Sequence, residues 1–321
     1  MHEIQLIGLD GGNLLGYLAA LGTLRVLTLA ELGAEVRMSW VEKGWWTPVI
    51  HHSRISTREE LIAGLELMVT ARIAVQSKRK GKKKQADASS DDLRAKGLTN
   101  ANPAYTHDHL DLCLADFRKE LENAVQEPER REVADFFAAL GSDCFAENKI
   151  DKPTTTKFRA IGAGNNDGFL GFMRTIHLET GVEHLHKTLF LQWDYSDPPP
   201  FMRWDPNEYR PHALRADDPA KDRERNNVRG ANRLAIEALP LFPTVPAAKR
   251  LGTTAFEKDQ ITWPIWIEPL NLSTAASLLA SKEVHEAERS TMTQRGIVQV
   301  FRARRFTEGK YRNFSPARAL L

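Results

Sequence analysis

Residues 4–30 decide the fold: Ile4-Gln5-Leu6-Ile7-Gly8-Leu9-Asp10-Gly11-Gly12-Asn13, then Leu14-Leu15-Gly16-Tyr17-Leu18-Ala19-Ala20-Leu21-Gly22-Thr23-Leu24-Arg25-Val26-Leu27-Thr28-Leu29-Ala30. Ile4, Leu6 and Leu9 belong to a short apolar run that reads as a strand, and Asp10-Gly11-Gly12-Asn13 breaks it. From Leu14 onward nearly every position is apolar, with Arg25 the one charge. A helix built this way has no polar face to turn to water, so it must pack between layers. It is shorter than the ~20 apolar residues of a membrane span, and no basic start precedes it as in a secretory leader. The expectation is a cytoplasmic chain with no membrane partner.

Working outward, Val36, Met38, Trp40 and Val41 form a second strand, with Gly44-Trp45-Trp46-Thr47-Pro48 as its turn. Thr57 and Glu60 make a capping box for a helix running to about Val75. Helices follow from about Leu110 to Val125, and from after Pro128 to Leu140, where Gly141 is the stop. The opening pattern then returns: Phe158 to Ile161 as strand, Gly162-Ala163-Gly164-Asn165-Asn166 as turn, Gly168 to Ile176 as helix. Thr188 to Tyr195 reads as a strand. Asn226 to Leu239 is an amphipathic helix, Ser273 to Ser281 another helix, and Ile297 to Phe306 a strand entering a Glu308-Gly309 turn. Strands and helices do not alternate cleanly, so the class is α+β. The expected architecture is a mixed sheet with packed helices, two strand–glycine turn–helix corners and an exposed basic loop. Residues 1–150 form an N-terminal region carrying that loop at 77–90. Residues 151–321 form a C-terminal region with a basic helix and a basic hairpin.

Among 321 residues, 44 are basic and 42 acidic, a net charge of +2 that names no partner by itself. Cys113 and Cys144 are too few for a disulfide framework and fit a reducing compartment. For catalysis, His107-Asp108 matches the dipeptide of metal-dependent HD phosphohydrolases, with His109, Asp111 and Cys113 nearby. A dinuclear site needs further ligands from separate helices, and His51, His52 and Asp143 have no setting that recommends them. His177, His184 and His186 are a loose cluster whose last two members face opposite ways in an extended chain. No nucleophile elbow, P-loop or paired-cysteine motif is present. A non-catalytic protein without cofactor or metal is expected, with the HD-type phosphohydrolase as the alternative.

Basic segments carry the clearest functional signal. Lys78, Arg79, Lys80, Lys82, Lys83 and Lys84 suit sequence-independent attraction to phosphates, unless they form only a solubilising loop. Gly162 and Gly164 ahead of a helix offer free amides, and Asn165 and Asn166 add side-chain donors and acceptors. Asn13 ends the equivalent first turn, where tight packing is the plainer role. Arg225, Arg229 and Arg233 lie four apart, a stripe opposite the apolar helix face, with Arg233–Glu237 spaced for an ion pair. At the C-terminus Arg302, Arg304, Arg305 and Arg312 alternate with Phe301, Phe306, Tyr311 and Phe314, cations for phosphates beside rings for bases. The same rings could serve only as hairpin core, and Trp263 and Trp266 are expected in the core.

Several of these segments together resemble a known group. They are Leu9-Asp10-Gly11-Gly12-Asn13 with the helix start through Gly22, Trp45-Trp46-Thr47-Pro48, Gly162-Ala163-Gly164, Trp204-Asp205-Pro206, Val228-Arg229-Gly230-Ala231-Asn232-Arg233-Leu234-Ala235, and Ala238-Leu239-Pro240-Leu241-Phe242-Pro243-Thr244. The chain resembles proteins of type I-G (I-U) CRISPR loci, including those described as an extension of the helicase–nuclease, similar in role to a Cascade large subunit. That resemblance implies an antiviral ribonucleoprotein complex. It implies binding at the 5′-handle end of the guide RNA (crRNA) and contact with other Cascade subunits. It further implies recognition of the protospacer-adjacent motif in double-stranded target DNA, help in opening the duplex, and recruitment of the helicase–nuclease. In such complexes protein reads a short motif and shape while base pairing reads the long sequence. An adaptor that touches only the helicase–nuclease is a further alternative.

Overall fold

The computed structural model describes residues 1–30, 33–66, 113–126, 131–144, 153–160, 168–207, 227–247, 250–308 and 311–321. Strand β1 (His2–Gln5) leads through the glycine turn into helix α1 (Leu14–Ala30), which is buried continuously from Leu14 to Leu27. A helix apolar all round has found the interlayer position that its composition demands. Strands β2 (Val36–Glu42) and β3 (Trp46–His52) complete an antiparallel sheet in the order β1-β3-β2. The turn between them is tighter than expected. Trp40 pairs with Pro48 and Val41 with Thr47, so the strand resumes at Trp46. Gly44, at φ +82°, takes the left-handed turn position.

Helix α2 begins at residue 58 and is described to 66. Its capping box forms as expected: Glu60 N–H donates to Thr57 Oγ1 at 3.1 Å, and Thr57 N–H to Glu60 Oε2 at 3.1 Å. Helices α3 (Leu114–Gln126) and α4 (Arg131–Leu140) pack through an edge-on contact of Phe117 and Phe137, and α4 stops at Gly141. Two-residue strands β4 (Gly141–Ser142) and β5 (Thr154–Thr155) pair next. Helices α5 (Gly168–Glu179), α6 (Val182–Phe190) and α7 (Arg229–Ala238) follow.

Two strand expectations fail here. Phe158 to Ala160 form no strand; Phe158 sits in a turn with its ring among Trp204, Phe242 and Phe256, and its carbonyl accepts from Trp204 Nε1 at 3.0 Å. Thr188 to Phe190 close helix α6 instead of opening a strand. Val182, Leu185 and Leu189 have helical spacing that a short apolar run disguises. The start signal is a histidine, since His184 Nδ1 accepts Gly181 N–H at 3.0 Å.

Strands β6 (Thr244–Ala247) and β7 (Arg250–Thr253) form a separate hairpin. The larger sheet comprises β8 (Phe256–Glu257), β9 (Gln260–Trp266), β10 (Ile297–Glu308) and β11 (Tyr311–Phe314), with β12 (Arg318–Ala319) also on β10. Between β9 and β10 lie helices α8 (Leu272–Leu279), α9 (Lys282–Glu286) and α10 (Arg289–Gln294). The structure is thus α+β, a set of antiparallel sheets with helices packed on them.

One core runs from Ile4 to Phe314 and takes residues from both halves of the sequence. Its centre is the contact of α1 with α7, where a Cβ on Gly22 would lie 1.8 Å from the Leu234 carbonyl oxygen. The two backbones meet with no side chain between them. Tyr17 stacks on Trp40 with ring centroids 5.4 Å apart, and Trp263 and Trp266 close the group from β9, core residues as expected. A second, smaller cluster of Val284, Met292, Ile297 and Val300 covers the other face of β10. Alternate residues of β10 therefore face two different cores.

Candidate nucleic-acid interface

The turn that ends β1 is fixed by its own side chains. Asp10 Oδ1 accepts Gly12 N–H at 2.8 Å, and Asn13 Oδ1 accepts Gly16 N–H at 3.2 Å as the cap of α1. Trp46 reaches the turn from β3: its carbonyl accepts Gly11 N–H at 2.7 Å, and its N–H donates to the Asp10 carboxylate. Trp263 Nε1 donates to the Gly11 carbonyl at 2.8 Å. A side chain at Gly11 would strike the Trp40 ring at 2.6 Å, which accounts for that glycine by packing.

Asp205 stands behind this turn, 1% exposed. Its Oδ2 accepts Tyr195 Oη–H at 2.7 Å, its Oδ1 accepts Asn207 N–H at 2.8 Å, and the Asn13 amide donates to it as well. Burial raises the Asp205 carboxyl above the usual range against these hydrogen bonds; burial also raises Asp10, with the Asp205 charge adding to it. Three segments far apart in sequence, 10–13, 45–48 and 204–206, therefore meet at one corner. Asn13 is absorbed there as cap and donor. Beside them the Trp45 side chain is exposed on the hairpin turn.

No family model matches this chain, and no curated protein matches it either.

The arginine stripe expected on the later helix is not exposed. Arg229 and Arg233 are each 2% exposed, because α7 is enclosed on every side by α1, α5 and α6. Arg229 pairs with Glu179 of α5 and donates to the Pro198 carbonyl at 2.9 Å. Arg233 pairs with Glu237 at 2.7 Å, the spacing foreseen, but as a buried contact rather than on a solvated face. Both arginines hold the fold together. A fourfold spacing of charges reports which residues share a face, not whether that face is covered.

The C-terminal strand keeps its basic character in part. Arg302 is drawn inward, its Nε donating to Thr262 Oγ1 at 3.0 Å and its Nη2 to the His285 carbonyl. Arg305 turns to the opposite face, donates to the Arg159 carbonyl at 3.1 Å and lies 3.8 Å from Asp259. Burial and the nearby Arg312 lower Arg305 to about 10, still cationic at neutral pH. Lys157 joins Asp259 at 3.0 Å. Arg304 is exposed, Arg312 half-buried, and Lys258 projects from the β8–β9 turn at φ +54°. Tyr311 pairs with Glu308 in the hairpin, and its side chain lies outside the described residues. The sheet end thus gathers Lys157, Lys258, Arg304, Arg305 and Arg312 around Asp259 and Glu257. Lys157 and Lys258 are isolated in sequence, and only topology brings them here.

Lys78, Arg79, Lys80, Lys82, Lys83, Lys84, His107, Asp108, His109, Asp111, Gly162, Gly164, Asn165, Asn166 and Arg225 lie outside the described residues. Among the described residues no three of His, Cys, Asp and Glu are grouped as metal ligands, and no helix is long and apolar enough to cross a membrane. His184 and His186 belong to one helix, with His186 beside the Phe190 ring.

Proposed function

We propose that this chain is a non-catalytic subunit of a type I CRISPR interference complex in the cytoplasm, binding guide RNA and double-stranded target DNA. In this role it recognises the protospacer-adjacent motif, helps open the duplex and recruits the helicase–nuclease. The observation that carries the reading is the meeting of the 10–13, 45–48 and 204–206 segments at one corner, since these are the stretches on which the resemblance rests. The exposed cations of the sheet end, Lys258 and Arg304, support it independently, as phosphate attraction needs exposed positive charge. Lys78, Arg79, Lys80, Lys82, Lys83 and Lys84 are assigned to phosphates of duplex or displaced strand, and Asn165 and Asn166 to base edges.

Co-expression of the tagged chain with its operon and a CRISPR array tests this directly. Uniform guide RNAs with a repeat-derived 5′ end, recovered together with backbone subunits, are expected. A free chain, or one bound only to the helicase–nuclease, overturns it. Replacing Lys80, Lys82, Lys83 and Lys84 by Ala weakens DNA binding equally across sequences and flattens its salt dependence. Replacing Asn165 and Asn166 by Ala erodes motif preference while sparing nonspecific affinity.

A further inference from the structure

His51 has no catalytic setting in the sequence and acquires one in the β1-β3-β2 sheet. It stands on the central strand β3, opposite Glu3 of β1 on one side and opposite Arg37 of β2 on the other. Ser39 follows two residues along β2, so it shares that face. One imidazole thus spans three strands. Its Nε2 lies 2.8 Å from Ser39 Oγ, and its Nδ1 lies 3.4 Å from Glu3 Oε1. A carboxylate only accepts, so Glu3 favours the ring hydrogen on Nδ1 and leaves the Nε2 lone pair to the Ser39 hydroxyl, which donates. Burial holds His51 below the usual histidine range against the Glu3 charge, with the Met1 ammonium and Arg37 adding to the lowering. The ring is therefore neutral at pH 7 and able to take a proton.

We infer that Ser39 is a nucleophile activated by His51, with Glu3 as the positioning residue, in a site that takes and hydrolyses short acyl esters. The order nucleophile, base, orienting carboxylate is recognised by geometry and not by sequence spacing. Ser39 Oγ bonds to the acyl carbon while its proton passes to His51 Nε2. The ester C–O bond then breaks, and the leaving oxygen takes that proton. Water attacks the acyl-serine in turn, giving its proton through His51 back to Ser39 Oγ. Met38 spends its N–H and C=O on Leu270, so those of Ser39 face β3 and its amide is taken by the ladder. The oxyanion must therefore be met by a side chain. Arg37 adjoins Ser39 on this face and has N–H donors beyond its pair with Glu35. Ser39 is 7% and His51 8% exposed, so only a small acyl group reaches Oγ. The inference goes beyond the nucleic-acid reading, in which the chain does no chemistry on RNA or DNA, and does not rest on it.

The test uses the full chain, a fluorophosphonate probe and mass spectrometry of its peptides. In the expected adduct Ser39 Oγ bonds to phosphorus and fluoride leaves. The adduct should be absent from Ser39→Ala, and His51→Gln should slow its formation about 100-fold, as the loss of a general base does. Glu3→Gln changes only an exposed side chain. By removing the charge that raises His51, it should move the midpoint of the rate–pH profile to lower pH. The parent should also hydrolyse p-nitrophenyl acetate faster than Ser39→Ala does. An unlabelled Ser39 in the parent overturns the inference, as does an adduct that forms equally fast in His51→Gln or in the urea-unfolded chain. So does ester hydrolysis equal to that of Ser39→Ala. Recovery of guide RNA by the tagged chain is decided separately from all of these outcomes.

Discussion

Arg25 of α1 and Glu237 of α7 meet with Nη1 3.1 Å from Oε2, in a contact where the two side chains are 4% and 1% exposed. Glu237 also accepts from Arg233 at 2.7 Å, so one buried carboxylate serves two guanidinium groups. Arg25 reaches Glu132 of α4 as well, at 3.7 Å. The replacement Glu237→Gln takes the carboxylate from Arg233 and leaves Arg25 the longer contact with Glu132, both in a poorly solvated interior. It should cost about 3–5 kcal/mol, read as a lower urea midpoint; a cost within about 0.5 kcal/mol, as at an ordinary surface position, would mean that water reaches the group.

Gly22 is the residue that lets α1 and α7 touch. Because an added Cβ would lie 1.8 Å from the Leu234 oxygen, Gly22→Ala must drive the helices apart. A loss of about 3 kcal/mol or more is expected, at or beyond the top of the usual range for overpacking. The intrinsic helix preference of alanine over glycine, about 1 kcal/mol, works in the opposite direction. A variant as stable as the parent would refute the close contact.

Asp10 and Asp205 give stability a definite pH dependence. Burial raises both carboxyls above the ordinary value of 3.8. The unfolded chain therefore releases these protons first as pH rises. The pair's contribution is fully present below the unfolded value and is lost as pH passes through the raised folded values. Urea midpoints measured from pH 4 to pH 7 should show a downward component in the parent that is smaller in Asp205→Asn. An identical slope in both would assign the effect to other groups.

Arg304 and Arg305 are adjacent in sequence and should behave as different classes of residue. Arg304→Ala removes an exposed cation, so it should leave stability within about 0.5 kcal/mol while reducing the salt slope of nucleic-acid binding by about 0.7–0.9 per lost phosphate contact. Arg305→Ala removes the donor to the Arg159 carbonyl and the neighbour of Asp259. It should lower the unfolding midpoint as well. Equal thermal stability of the two variants would contradict the opposite facing of their side chains.

Much of the fold is legible in the chain because composition alone forbids alternatives. A helix without a polar face can only be interior, and the Thr57–Glu60 box fixes a helix start through two local hydrogen bonds. Phe158 and the 188–190 stretch depart from the expected strands because a short apolar run is compatible with strand, turn and helix, and partners distant in sequence choose among them. The candidate interface was less legible. The Arg229 and Arg233 stripe carries the periodicity of a surface but is covered by helices that the local pattern does not mention. Lys157, Lys258 and Asp259 give no local signal: the pairing of β9 with β10 brings Lys258 and Asp259 beside Arg304 and Arg305, and Lys157 is placed there by its N–H bond to Thr253 Oγ1 and its ion pair with Asp259.

The covering of α1 has a consequence for synthesis of the chain. Glu237, the nearer carboxylate partner of its Arg25, lies 212 residues downstream, and Gly22 rests on a helix that leaves the ribosome just as late. At about 5–20 residues per second, the seventeen-residue apolar helix waits on the order of 10–40 seconds for the surface that shields it. During that interval the nascent chain exposes on α1 the apolar face that α7 will later cover. A chain released before α7 emerges keeps that face uncovered, and chaperone capture or aggregation is its expected fate.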